Sequence, residues 1–448
     1  MREINLNHKK RNAITAVMAL CCLSHPSLLS AQKNQQNAIA GGLASTETRA
    51  DSLLVSQLRR KGVRFSHNNS VTLLTTGQEK FDDLFKAIDQ ARSSIHLEYF
   101  NFRNDSINEE LIRRLAAKAK EGIEVRAVFD GFGNASNNRP MRKRRLKTIR
   151  KQGIEIHEFK PMAFPWLHDI FNRDHRKIVV IDGKVAYTGG MNVADYYIKG
   201  TKAVGSWHDM HCRIEGDEVN TLQKIFLRMW RIVSGQDVHG AKYYRGVSDA
   251  DYMAGLKPDT CRSAGKKMVG IINREPHVTK DIIRCFYLNA IKDAKDSIKL
   301  INPYFTLSHS LKKALRDAVS RGVKVEILLS MKSDIPLTPD CGFYNAHQLM
   351  KAGCTIWIYK PGFHHTKIIT VDGQLCTVGS ANLNARSLRW DREENAVIVD
   401  ACTTHELNQL FEDQKKDSFK LTEAKWKQWR TPWQRFRGWF AHLLSPFL

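Results

Sequence analysis

The pattern His-x-Lys-x-x-x-x-Asp occurs twice in the chain, at His175, Lys177 and Asp182 and again at His365, Lys367 and Asp372. Each copy heads an apolar run, Ile178-Val179-Val180-Ile181 or Ile368-Ile369-Thr370-Val371, that closes on Asp-Gly, the composition of a strand ending in a turn. In extended chain, His and Lys two residues apart share a face, so each copy offers one imidazole for nucleophilic or proton-transfer work beside one fixed cation. Together the copies can enclose one anionic group. The motif Asp lies roughly 23 Å further along an extended strand and on its opposite face, out of reach of the imidazole. Asp182 and Asp372 complete the catalytic motif and are expected to shape its turn.

The elements around the motifs repeat as well. Thr188-Gly189-Gly190-Met191-Asn192 follows the first copy and Val378-Gly379-Ser380-Ala381-Asn382 the second. Upstream, Ala91 through Phe100 answers to Ala294 through Phe305, Glu121-Gly122-Ile123-Glu124-Val125 to Arg321-Gly322-Val323-Lys324-Val325, and Gly153-Ile154-Glu155-Ile156 to Gly353-Cys354-Thr355-Ile356. An offset near two hundred residues, kept in the same order over so many segments, is an internal duplication. Each half reads as helix-then-strand units, which predicts an α/β fold of two similar domains with mostly parallel sheets flanked by helices. Because each half carries only half of the chemistry, the two are expected to pack with pseudo-twofold symmetry around one shared active site.

The paired motifs with their Gly-Gly/Ser-x-Asn tails resemble the phospholipase D superfamily. His175 through Gly183, Trp207-x-Asp209 with Arg213-Ile214-Glu215-Gly216, Pro361-Gly362-Phe363, Ser380-Ala381-Asn382-Leu383 with Arg386-Ser387, and the ending Leu444 through Leu448 are similar to bacterial cardiolipin synthases. The resemblance implies a phosphatidyltransferase that converts two phosphatidylglycerol molecules to cardiolipin plus glycerol, with phospholipase D hydrolysis or transphosphatidylation, and then a nuclease of the same superfamily, as alternatives. It implies His175 as the nucleophile, giving a phosphohistidine, and His365 as the acid and base. Lys177, Lys367, Asn192 and Asn382 would hold phosphate oxygens, and no cofactor or metal is called for. A catalytic imidazole needs a partner on its second nitrogen; by resemblance, Asp209 supports His365 and Glu393 supports His175, crossing between the halves. The chain departs from the family pattern at Asp391, at Asp217-Glu218-Val219 and at His364-His365-Thr366-Lys367. The added acids are expected to bear on polar-group recognition, and His364, on the other strand face, to pack.

Composition sets the surroundings. The 448 residues carry a formal net charge of +24 and 42% hydrophobic content, enough chain for two or three cores and a demand for an anionic partner. In the C-terminal segment Trp426, Trp429, Trp433, Phe436, Phe440, Leu443 and Phe447 recur at steps of three and four with Lys425, Lys427, Arg430, Arg435 and Arg437 between them. A stripe of this kind suits the boundary of an anionic bilayer and favours a lipid surface over nucleic acid; the resemblance implies phosphatidylglycerol as that lipid. At the other end, basic residues through Arg11, an apolar run from Ala13 to Leu23 and small residues at Ser30-Ala31 read as a signal peptide too short to span a bilayer. Export would place the protein on the periplasmic face of a bacterial cell membrane. The expected organisation is thus a signal peptide over 1–31, a polar linker over 32–60, phospholipase D-like domains over 61–250 and 251–423, and a basic aromatic amphipathic segment over 424–448. Seven cysteines beyond the signal have no metal-site spacing; Cys212, Cys354 and Cys376 fall in strands as small core residues, and disulfides remain open.

Overall fold

Apolar runs rich in Val and Ile, punctuated by Gly, form the strands of a computed structural model that describes residues 49–162, 170–248 and 265–445. The expected signal peptide, most of the polar linker, Cys261 and Phe447 lie outside the described residues. The first half contributes β1 (Phe65–Leu74), β2 (Ser94–Tyr99), β3 (Glu124–Asp130), β4 (Glu155–Phe159), β5 (Lys177–Ile181), β6 (Val185–Gly189), β7 (Trp207–His208) and β8 (His211–Gly216). The second contributes β9 (Lys267–Arg274), β10 (Ser297–Ile301), β11 (Lys324–Ser330), β12 (Thr355–Tyr359), β13 (Phe363–His364), β14 (Ile368–Val371), β15 (Leu375–Gly379), β16 (Glu393–Val399) and β17 (Ser418–Lys420).

All but β7 and β13 join one 15-stranded sheet. From one edge the first half runs β4-β3-β2-β5-β6-β8-β1, and the second continues β9-β16-β15-β14-β10-β11-β12, with β17 added at the far edge. Each position finds its duplicate at equal distance from the centre, where β1 and β9 pair antiparallel. That arrangement is the pseudo-twofold relation the duplication predicts.

The sheet corrects one expectation: it is mixed, not mostly parallel. Only β2-β3-β4 and β10-β11-β12 run parallel, where helices such as Ser106–Lys120 and His309–Ser320 supply the crossovers. The motif strands instead turn back on themselves. Asp182 and Gly183 take φ of 54° and 60°, and Asp372 and Gly373 take 50° and 68°, so β5-β6 and β14-β15 are hairpins, which short connections force to be antiparallel.

Local signals agree with the packing. The helix Gly77–Asp89 opens on a capping box between Thr76 and Glu79, worth about 1 kcal/mol, and buries Phe81, Leu84, Phe85 and Ile88 at helical spacing. On β5, Ile178 through Ile181 are buried on both faces, because helices and the partner half cover the sheet on either side. The six described cysteines are all free thiols, and Cys212, Cys354 and Cys376 are buried in strands or beside them.

The C-terminal stripe is divided. Residues Glu423–Trp429 and Pro432–Leu443 form two helices, separated where Pro432 takes the first turn of the second behind the Thr431 cap. Trp426 is buried and stacks on His347, and Trp429 packs edge-on against Phe343, so these two belong to the core. In the second helix Gly438 and Ala441 face inward, Gly438 close against the Asp340 carbonyl, while Trp433, Phe436, Trp439, Phe440 and Leu443 are exposed. No helix among the described residues is long and apolar enough to cross a membrane.

Candidate active site

The two motif histidines sit just before β5 and β14, where the halves meet. There the backbone crosses from one half to the other twice, in the same way. The His175 amide donates to the Arg392 carbonyl at 2.9 Å, and the His365 amide donates to the His208 carbonyl at 2.7 Å. In each case the accepting residue immediately precedes a carboxylate. Glu393 therefore lies 3.1 Å from His175 Nδ1, and Asp209 Oδ2 lies 2.7 Å from His365 Nδ1. With the Nδ1 proton held by a carboxylate, each Nε2 is the nitrogen left for chemistry.

Both imidazoles line a single cavity of about 700 Å³, together with Asn192, Asn382, Phe100, Trp207 and Tyr304. Phe100 meets the His175 ring edge-on at 4.8 Å, and Tyr304 meets the His365 ring in the same manner at 5.7 Å. Lys177 and Lys367 lie beneath, fully buried, with each ammonium on the carbonyl of its own motif histidine. Lys367 Nζ is also 2.9 Å from His365 Nδ1. Asp209 is closer and charged, so it takes the Nδ1 proton and the lysine acts there as a neighbouring charge.

The two histidine pairs differ electrically. Burial would raise the Asp209 carboxyl, but Lys367 and His365 outweigh it and hold it below the ordinary carboxylate range. Burial instead prevails at Glu393, pushed up to about 7 despite Lys177, and at Glu394, pushed up to about 8. Glu393 and Glu394 share the Ser380 hydroxyl, whose place in the first half is taken by Gly190. A Cβ at Gly190 would stand 2.1 Å from Asp209 Oδ1, so only glycine admits the carboxylate. Burial, then Lys177 and Lys367, hold the His175 imidazole well below its usual range; burial and Lys367 lower His365 too, but Asp209 opposes them. Burial lowers Lys177, and brings Lys367 down to about 8.

The remaining expected residues divide. Asn192 spends its oxygen on the Asn101 amide at 3.2 Å and one N–H on the Tyr197 hydroxyl at 3.2 Å, which leaves one N–H. Asn382 has a buried amide oxygen without a partner. Asp182 and Asp372 correct their grouping with the catalytic motif, for they stand at the far ends of β5 and β14. There Asp182 accepts the amides of Arg92, Ser93 and Ser94, and Asp372 those of Lys295, Asp296 and Ser297. Among the described residues no cluster of three or more His, Cys, Asp or Glu is arranged to hold a metal.

The departures from the family pattern are absorbed structurally. Asp391 lines the cavity but accepts from the Arg173 amide at 2.9 Å and from Arg386 Nε at 2.7 Å. Asp217 and Glu218 lie at the start of helix Glu218–Ser234, bonded to Arg64 and Ser66, and correct the expectation that they bear on recognition. His364 is buried, stacked on His208 and bonded to Gln414 at 3.0 Å. Sequence reasoning missed Arg173 and Asp130, a fully buried pair that anchors the segment entering His175, since Asp130 Oδ2 also takes the Asp174 amide at 2.9 Å. Their separation by more than forty residues, with no periodicity, carries no local signal.

Comparison with known proteins agrees with this geometry. A family described as cardiolipin synthase, PLD-like domain, matches residues 84–230 and 287–415, one stretch per half. The chain is 35% identical over 384 residues to cardiolipin synthase 2 of Staphylococcus epidermidis, covering 85% of this chain and 75% of that one. It is 32% identical over 397 residues to cardiolipin synthase of Oceanobacillus iheyensis, covering 88% and 79%. Among solved structures, phosphatidylserine synthase of Haemophilus influenzae superposes with a TM-score of 0.64 at 16% identity, over 88% of this chain and 99% of that one, and so shares the fold.

Proposed function

Because the chain belongs to the phospholipase D-like family of cardiolipin synthases, we propose that it is a phosphatidyltransferase making cardiolipin and glycerol from two phosphatidylglycerol molecules. One observation carries the reading: two imidazoles face one cavity, each with Nδ1 on a carboxylate from the opposite half. His175 Nε2 attacks the phosphorus of the first lipid as the bond to its terminal glycerol breaks. His365, as imidazolium, protonates the departing alkoxide, so glycerol leaves and a phosphohistidine remains. The neutral His365 then takes the proton of a hydroxyl on the second lipid, whose oxygen attacks phosphorus, breaks the P–N bond and frees His175.

The electrical difference between the pairs supports that division. The residue that must begin as a cation is served by a carboxylate kept ionised, Asp209, whereas the residue that must begin neutral is served by Glu393, which is half protonated near pH 7. Lys177 and Lys367 place two charges where the phosphate oxygens gain negative charge, and Asn192 offers its remaining N–H. The exposed aromatics of Pro432–Leu443 suit peripheral attachment to a bacterial membrane. Attachment at its periplasmic face rests on residues 1–31 alone.

Purified protein mixed with phosphatidylglycerol vesicles is expected to release cardiolipin and glycerol in equal amounts. Phosphatidic acid as the only lipid product would replace the transferase reading with hydrolysis.

A further inference from the structure

We propose that a second cavity, of about 380 Å³, is a headgroup site for an anionic phospholipid, separate from the histidine cavity. It lies between Arg284 of helix Ile282–Asp293, the entry to helix His309–Ser320, the turn at Asn384–Arg389 and the end of helix Pro432–Leu443. Its lining contains Arg284, His309, Lys312, Arg389 and His442 and no carboxylate.

Lys312 shows what the cavity lacks. It is only 7% exposed, yet its ammonium meets neutral groups alone, His442 Nε2 at 3.0 Å and Asn345 Oδ1 at 3.4 Å. Burial holds it below the ordinary lysine range, and no carboxylate offsets this. Arg284 reaches one hydroxyl, Ser310 at 3.3 Å, while its Nε and the Nδ1 of His442 are buried without partners. The cavity also receives the positive end of the twelve-residue helix His309–Ser320, capped by Ser308. Convergent buried donors of one sign are costly to maintain, and an incoming phosphodiester would satisfy them together.

The apolar part of the wall separates a lipid from a free anion. Leu307, Leu388 and Leu443 form most of its apolar wall, and Leu443 is 55% exposed. From it an apolar ridge continues along the same helix face through Phe440, Phe436 and Trp433, where acyl chains can lie. The role of the ridge rests on the membrane-surface reading above; the charged cavity does not. Asn384 lines both cavities, so a lipid held here would sit one residue from the reaction site.

The test uses the full chain with H175A, so that nothing turns over, titrated calorimetrically with monomeric short-chain phosphatidylglycerol. Two sites per chain are expected. R389Q, a change at an exposed residue that no fold contact needs, should weaken one site about tenfold and leave the other unchanged, and R284Q/K312Q should abolish that same site. One site in H175A, or two unaltered sites in R389Q, overturns the proposal. Inorganic phosphate displacing the lipid from the second site at equal concentration would assign the site to free anions and overturn the lipid. Cardiolipin formation by the native chain is measured separately; its absence with two sites intact counts against the transferase alone.

Discussion

Replacing Asp209 by Asn should slow glycerol release from phosphatidylglycerol while sparing a substrate whose leaving group needs no proton. Asp209 is buried, its Oδ2 is 2.7 Å from His365 Nδ1, and its position is enforced by the Met210 amide at 2.8 Å and by the absence of a side chain at Gly190. At about 4 Å between charge centres and an effective dielectric near 20, the lost attraction for imidazolium is about 4 kcal/mol. A neutral hydrogen bond accepted by the amide oxygen from His365 Nδ1 returns about 1 kcal/mol. The remaining 3 kcal/mol or so lowers the His365 pKa by about two units, a loss of roughly 10²-fold in proton donation. If the amide turns its N–H toward Nδ1, the proton is forced onto Nε2, and the loss approaches the roughly 10⁴-fold seen for the equivalent change in serine proteases. Rapid-quench assays of glycerol release, beside nitrophenolate release from a nitrophenyl phosphodiester analogue, separate the two cases: the variant should be slow on the first and near normal in the burst on the second. Equal losses on both would refute the assignment of Asp209 and His365 to leaving-group protonation.

The other pair should respond to pH. With Glu393 pushed up to about 7, E393Q should cost little at pH 6 and about tenfold or more at pH 8 in single-turnover phosphoenzyme formation; a constant loss would refute a half-protonated Glu393. The same carboxyl is raised above its unfolded value near 4.3, so its contribution to stability is full below that value and fades as pH rises through 7. Chemical denaturation from pH 6 to 8 should therefore destabilise native protein by roughly 1.4 kcal/mol more than E393Q. G190A must displace the Asp209 carboxylate, and should reproduce the D209N pattern, with nitrophenolate release spared, at unchanged circular dichroism. In the C-terminal helices, W426A should cost about 3–5 kcal/mol in thermal or denaturant unfolding, whereas W439S should change stability by under about 0.5 kcal/mol and weaken binding to anionic vesicles.

The duplicated halves were legible because the same residue types recur in the same order at an offset near two hundred residues, and duplication implies symmetry without any knowledge of the fold. The parallel sheet was overestimated for a reason also present in the residues: Asp182-Gly183 and Asp372-Gly373 make hairpins, and a hairpin places the motif strand antiparallel to its neighbour. Helical spacing grouped Trp426 and Trp429 with Trp433 and Phe436, but Pro432 divides the segment and turns the first pair into the core. Arg173, Asp130 and Ser380 were missed or passed over as supports, since buried polar partners far apart in the chain leave no period to read.

By itself the sequence determined the chemical groups and their local geometry: two imidazoles, two ammonium groups on matching faces, and an Asp carried too far along its strand to reach the site. The crossed partnership of Glu393 with His175 and of Asp209 with His365 was implied by family resemblance alone. Tertiary structure supplies its physical cause, for each histidine amide is held by the carbonyl that precedes the carboxylate of the other half. Burial then decided the rest. Two carboxylates of nearly equal intrinsic acidity diverge, Asp209 kept ionised by Lys367 and His365 and Glu393 raised to about 7, because desolvation and neighbouring charge depend on distances that chain order does not contain.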